Sequence, residues 1–406
     1  MINLILFDDE SWQSLLPLTY TRPICELRLG MLTIAEKWER ILGVRPHYLT
    51  QEHLSVKYKF KLDSDNLLIN GSFIPNEYLI TKIKDLGFNQ ALYFGEELIA
   101  AHLDKESFDL IFEQNNLEQL EGEDLLAQGT DLVKLQRPTD ILRCIDSEIS
   151  RDFKLVTAGK DSAKGMEHCT VIGDHPVFLE EGAKATCAIL NATNGPIYLG
   201  KNAEVMEGAL IRGPFYLGDR SHVKMGAKIY EGVSVGPDSK VGGELKTVVI
   251  QGNSNKGHEG FLGDSILGEW CNLGADTNTS NLKNNYEEVK LWNYATGRFE
   301  KTGLQFCGLI MGDHSKCGIN TMFNTGTVVG VFCNIFGEGY PRNFIPSYAW
   351  GGTAGYMTYK LEKAFDTARI VMARRGKILD EIDMDILRHI FYQSDQYRVW
   401  EKATKS

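Results

Sequence analysis

The side chains best suited to chemistry fall in one run, Lys256-Gly257-His258-Glu259-Gly260-Phe261-Leu262-Gly263-Asp264. It continues through Glu269-Trp270-Cys271-Asn272-Leu273-Gly274-Ala275. The imidazole of His258 can take up and return a proton near neutral pH. Lys246, just upstream, offers a flexible ammonium that meets a phosphate as a point charge. Asn272 and Asn281 each have two readings, as polar ligands or as members of the asparagine ladders common at turns. A second charged cluster, Phe7-Asp8-Asp9-Glu10, is followed by Arg22 and Arg28. Asp8, Asp9 and Asp140 are the carboxylates considered for a Mg²⁺ held together with substrate phosphates, and the metal ligands stay unassigned. The arginines read equally well as ion-pair partners of Glu26 or Asp8. His168, His175, His222 and His314 have no spacing that pairs two of them as zinc ligands. The eight cysteines are scattered without a CxxC pair and read as reduced thiols.

What positions the run is a repeat of six. Leu199, Val205, Ile211, Leu217, Val223, Ile229, Val235 and Val241 are all branched aliphatics, and the beat resumes at Met311, Cys317, Phe323, Val329 and Ile335. Six matches neither a helix nor a simple strand and marks a parallel β-helix, each hexad forming one face of a triangular coil with its aliphatic residue stacked inside. Gly follows the beat at 200, 218, 236, 242, 318 and 330, where the chain turns a corner and a side chain would clash or φ turns positive. The coil is expected over 168–345, with breaks at 243–260 and 276–306, the second forming a loop or hairpin that projects from it.

The first part reads differently. Strands are expected at 2–7, from Pro46 to Leu49, at Leu67-Leu68-Ile69 and over 89–94. Helices are expected at 30–41, with Ile34, Trp38 and Ile41 on one face and Gly43 as the stop, and over 76–86. This alternation predicts an α/β layer with a mostly parallel sheet. Residues 104–128 are acidic and helical in character, and 158–166 form a linker. Three regions follow: an α/β domain over 1–157, the coil over 168–345 and a helical tail over 346–406. In the tail Leu361, Phe365, Ile370 and Val371 are core candidates, and the tail caps the coil or packs on a neighbour.

Composition bounds the function. The chain has 406 residues, 43% of them hydrophobic, with 40 glycines and a net charge of −11, which suits a soluble protein of two or three domains. That charge argues against a nucleic-acid binder, though local cations can still hold small phosphates. No signal peptide opens the chain and no apolar stretch spans a bilayer, so a cytoplasmic protein without a membrane partner is expected.

The 256–275 run, with Glu244-Leu245-Lys246 before it and Asn281 after it, resembles the acetyltransferase half of the bifunctional N-acetylglucosamine-1-phosphate uridylyltransferase/glucosamine-1-phosphate acetyltransferase family. That resemblance implies a left-handed β-helix, acetyl-CoA as co-substrate bound in clefts between coils, and a homotrimer. It implies His258 as catalytic base, Lys246 as ligand of the sugar phosphate, and Asn272 and Asn281 as contacts of the sugar that orient the nucleophile. It implies backbone N–H groups near Gly274-Ala275 at the thioester oxyanion. Two positions depart from the pattern. Phe261 stands where the family has Tyr, and Lys228 stands in the region of a family Arg, keeping charge but losing the planar fork. The family's first domain is Rossmann-like and opens with a Gly-rich phosphate loop. Here Phe7-Asp8-Asp9-Glu10-Ser11-Trp12 has no glycine, so the block 16–30 resembles a divergent branch in which Arg22 and Arg28 bind the nucleotide. The family's magnesium Asp is also missing after Ile69-Asn70-Gly71-Ser72.

The resemblance therefore implies a sugar-nucleotide enzyme. Its coil acetylates glucosamine-1-phosphate, and its first domain binds UTP with Mg²⁺ to form UDP-N-acetylglucosamine. The alternatives are a sugar-1-phosphate nucleotidyltransferase of other specificity with the coil as oligomerisation scaffold, and a non-catalytic sugar-nucleotide sensor.

Overall fold

The computed structural model describes residues 2–109, 120–126 and 132–403. The chain divides into two compact units. One holds 1–15, 22–27 and 32–137, and the other holds 16–21, 28–31 and 138–406.

The first unit is built on a six-stranded sheet in the order His47–Leu49, Asn3–Phe7, Asn66–Asn70, Glu97–Leu103, Gln90–Phe94, Glu121–Asp124. The first three strands are mutually parallel, whereas Glu97–Leu103 runs antiparallel to both its neighbours. Asn3–Phe7 and Asn66–Asn70 are buried along their whole length, as strands covered on both faces must be. The helix Ile34–Leu42 starts at a reciprocal Thr33/Glu36 capping box and ends at Gly43 in the left-handed region, with Ile34 and Trp38 buried. The helix Glu77–Lys84 is capped by Asn76. Residues 104–128 were expected to be helical. Their described part holds only the short helix Lys105–Phe108 and the strand Glu121–Asp124, and the rest lies outside the described residues.

The second unit is the parallel β-helix that the hexads predict. Leu199 pairs with Leu217 and Leu217 with Val235, eighteen residues or three hexads per turn. Every residue of the beat lies within 5% exposure. The glycines after the beat serve close approach rather than positive φ: a Cβ on Gly236 would sit 2.0 Å from the carbonyl of Gln251 in the next turn. The left-handed residues come two positions later and recur once per turn, at Asn202, Arg220, Asp238, Asn253, Trp270, His314, Phe332 and Tyr348. Such a φ is rare for bulky side chains. Here four of them stack, Trp270 on His314, His314 on Phe332 and Phe332 on Tyr348.

The expected break at 243–260 is no interruption. Glu244–Gly252 is one nine-residue strand that pairs on two faces of the coil, and Lys240 meets Asn255 only fifteen residues on. The turn has been shortened, not broken. In the second break the coil is interrupted by an insertion. It carries the antiparallel hairpin Lys290–Asn293 and Arg298–Lys301, and Leu267 pairs with Met311 across it.

The helix Pro138–Thr157, which no sequence pattern announced, lies in the stretch expected as the first domain but groups with the second unit, where it packs on the coil strands and Asp152 accepts the N–H of Met31. The tail helices Leu361–Ala373 and Glu381–Gln393 also pack on the coil. Arg375 donates to the carbonyl of Asp238, and the Tyr348 hydroxyl donates to that of Leu387. Phe365 is buried there as expected, but Ile370 is 67% exposed and is not a core residue. Among the described residues no helix is long and apolar enough to cross a membrane.

Candidate functional site

His258 stands at a corner of the coil. The strand Asn255–Lys256 enters the corner and the strand Phe261–Glu269 leaves it, so the imidazole lies at the edge between two faces. The register pairs Val241 with Lys256, which puts the lysine in the interior column. Its Nζ donates to the carbonyls of His258 at 2.6 Å, Gly242 at 3.1 Å and Glu259 at 3.3 Å. Burial pushes this ammonium down to about 8. Gly260 closes the corner at φ +113°, and a Cβ there would lie 2.2 Å from the carbonyl of Thr277. His258 itself is exposed.

On one side of the corner lies a cavity of about 670 Å³ that both His258 and Asn272 line. Its wall is cationic, with Arg220, Lys224, Lys240 and Lys316 from the coil and Arg374 and Arg375 from the end of the first tail helix. Asp238 is the carboxylate among them and holds Arg220 at 2.8 Å. Burial pushes Lys316 down to about 8. Trp270 lies under Arg375 and Lys377, whose charges stand 5.8 and 5.5 Å from its ring. The Asn272 side-chain oxygen accepts from Asn255 at 3.2 Å, and Asn255 in turn accepts from Arg375 at 3.0 Å. Asn272 is thus both a cavity residue and a rung of an asparagine ladder.

On the other side, Lys228, Glu244 and Phe261 are register neighbours on one face, with Lys246 beside Gly263. Lys246 Nζ lies 6.0 Å from the Phe306 ring. Asn281 donates to Asp264 at 2.6 Å, and burial holds that carboxyl above its ordinary value against the pull of Asn281 and Lys246. Lys228 approaches Glu259, the neighbour of His258, at 3.8 Å. The fold thus groups Lys228, Lys246, Phe261 and Asn281 on one face, His258 and Asn272 at the cavity of the next, with His258 at their shared edge. Of the backbone N–H groups expected at the thioester oxyanion near Gly274-Ala275, that of Gly274 donates to the Cys317 carbonyl in the ladder. Sequence reasoning included Asp264 and Trp270 in the run without giving them a role, and missed Lys316 and the tail arginines. The one available signal was the basic run Arg374-Arg375-Gly376-Lys377.

In the first unit the acids at the end of the first strand are internally satisfied. Asp9 meets Lys134 at 2.9 Å and accepts from Asn70, Ser72 and the Ser11 N–H. Lys134 also pairs with Glu97 at 2.7 Å. Asp8 accepts from the Ile24 N–H and Thr50, and burial raises it to about 7. A lysine ammonium on Asp9 fills the place of a cation, so these residues do not fit Mg²⁺. Asp140 belongs to the second unit and lies 3.5 Å from Arg143. Among the described residues no group of three His, Cys, Asp or Glu could hold a metal. Arg22 belongs to the first unit and Arg28 to the second. Arg28 is buried, donates to the carbonyls of Gln251 and Met31, and lies over Tyr216. Its guanidinium is thus engaged inside the second unit.

Residues 4–161 match the model of a sugar nucleotidyl transferase family. The chain is also similar to bifunctional sugar-nucleotide proteins. It is 40% identical over 90 residues to the bifunctional protein GlmU of Methanocaldococcus jannaschii, covering 22% of this chain and 21% of that one. It is 32% identical over 93 residues to a bifunctional sugar-1-phosphate nucleotidylyltransferase/acetyltransferase of Sulfurisphaera tokodaii, covering 23% of each. An uncharacterized acetyltransferase of Escherichia coli, YaiX, is 32% identical over 143 residues, 35% of this chain and 61% of that one. The matches to the two bifunctional relatives thus span less than a quarter of those proteins' length.

Proposed function

We propose that the coil transfers the acetyl group of acetyl-CoA to the amine of an amino-sugar 1-phosphate, glucosamine-1-phosphate foremost. The observation that carries this is the place of His258, between a cationic cavity and a face bearing Lys246, Lys228, Phe261 and Asn281. The phosphates of the donor suit the cavity, where Arg220, Lys224, Lys240 and Arg374 converge. The sugar phosphate suits Lys246 and Lys228. The neutral sugar amine attacks the thioester carbonyl, His258 takes the proton the nitrogen sheds, and the tetrahedral adduct expels the CoA thiolate, which His258 reprotonates. Phe261 offers the sugar an apolar ring without a hydroxyl, so the phosphate relies on the lysines. A homotrimer, which the motif's resemblance implies, belongs to the same reading.

The sugar nucleotidyl transferase match supports a second role, recognition of a sugar nucleotide by the first unit. The Lys134–Asp9 pair speaks against metal-assisted uridylyl transfer from UTP there. Thiol release from acetyl-CoA, measured with glucosamine-1-phosphate, glucosamine-6-phosphate and glucosamine, tests the main reading. Release confined to the 1-phosphate supports it. No release with any acceptor leaves the coil as a scaffold.

A further inference from the structure

Lys256 occupies a position that every neighbouring turn fills with an uncharged residue. Above it the interior column runs Ala185, Val205, Val223 and Val241. Below it, the pairing of Asn255 with Asn272 sets Lys256 beside Leu273, and the column continues through Cys317 and Ile335. The lysine is 1% exposed. An ammonium inside a packed coil is costly unless hydrogen bonds surround it, and a valine or leucine would close the turn without that cost. What the lysine supplies instead is three donors aimed at one corner. Two of its acceptors are the carbonyls of His258 and Glu259, and the third, Gly242, belongs to the same corner one turn earlier. The corner has two glycines, 257 and 260, and few side chains of its own to hold it. Drawing the His258 carbonyl inward commits that residue's side chain to the outer edge, where it lines the cavity.

We propose that Lys256 is the positioning residue of the acetyl-transfer site, fixing from inside the coil the corner from which His258 projects. This rests on the acetyl-transfer reading for its catalytic consequence, but its structural content stands apart from it. The test uses the full-length chain with Lys256→Met, which fills the column with an unbranched apolar side chain, and Lys256→Gln, which keeps two amide donors. Amide hydrogen exchange is read first. Lys256→Met should speed exchange at 257–260 by about tenfold while the rest of the coil is unchanged. Turnover is read second. Lys256→Met should lower kcat by about 10- to 100-fold with both KM values within about twofold, and Lys256→Gln should recover part of the loss. Unchanged exchange at 257–260 overturns the proposal. So does a rise spread over the whole coil in both variants, which would make the lysine a folding residue only. If the wild type transfers no acetyl group, the functional reading fails and the exchange measurement alone still decides the role of Lys256.

Discussion

Two buried ionisable groups show how differently a charge is used in the two units. Lys256 is held by three carbonyls and stays useful as a donor. Asp8 has only the Ile24 N–H and the Thr50 hydroxyl against its burial, and its carboxyl rises from 3.8 to about 7. The folded state therefore binds its proton more tightly than the unfolded chain. The resulting stability is fully present below pH 4 and is lost as pH rises through about 7. Asp8→Asn keeps the neutral form at every pH. Its melting temperature should exceed that of the wild type above pH 7 and converge with it near pH 4, and equal shifts at both ends would refute the assignment. His258 was legible in the sequence because the run around it is unusual and resembles a known acetyltransferase motif. Lys256 was visible as a residue but not as an interior one. Counting by sixes from Val241 points to 247 and 253, whereas the shortened turn puts 256 inside.

At the scale of elements, the hexad beat was read correctly because interior stacking tolerates little besides aliphatic side chains. It failed where the coil changes length, since Glu244–Gly252 closes its turn in fifteen residues without a hexad pattern. The reason for the corner glycines was only half legible: proximity of the next turn is a tertiary fact, and the positive φ falls on Trp270, His314, Phe332 and Tyr348 instead. Gly260 does need its freedom. Gly260→Ala should cost about 1–3 kcal/mol of unfolding free energy in a denaturant titration. A neutral result would mean the corner relaxes easily, against the tight contact with Thr277. The tail helix Leu361–Ala373 ends in the cavity wall, a contact no local pattern announces. Arg374 is exposed there, so Arg374→Ala should raise the KM for acetyl-CoA by roughly two- to fivefold and leave the sugar KM unchanged, an effect that shrinks with added salt. A change in the sugar KM instead would place the donor elsewhere.

Across the whole molecule the charge is −11, yet the cavity beside His258 is lined by cations. Net charge argued against a nucleic-acid partner but could not reveal a local cluster assembled from residues 220 to 375. The division into units was only partly legible as well. A linker was visible at 158–166, but compactness places the helix Pro138–Thr157 with the coil, because its apolar face packs on the coil strands. In the first unit the absence of a glycine loop and the Asp9–Lys134 pair agree. Pyrophosphate release from UTP and N-acetylglucosamine-1-phosphate should therefore be at least about 100-fold slower than thiol release from acetyl-CoA, a gap of roughly 2.7 kcal/mol in barrier. Comparable rates would show that the first unit recruits a metal by other residues.

The central claim is that His258 takes the proton from the attacking amine. The most direct test is thiol release from acetyl-CoA with glucosamine-1-phosphate, wild type beside His258→Ala, at saturating substrates. The account predicts a fall in kcat of at least about a hundredfold in the variant, with its fold unchanged. A variant as active as the wild type would contradict it.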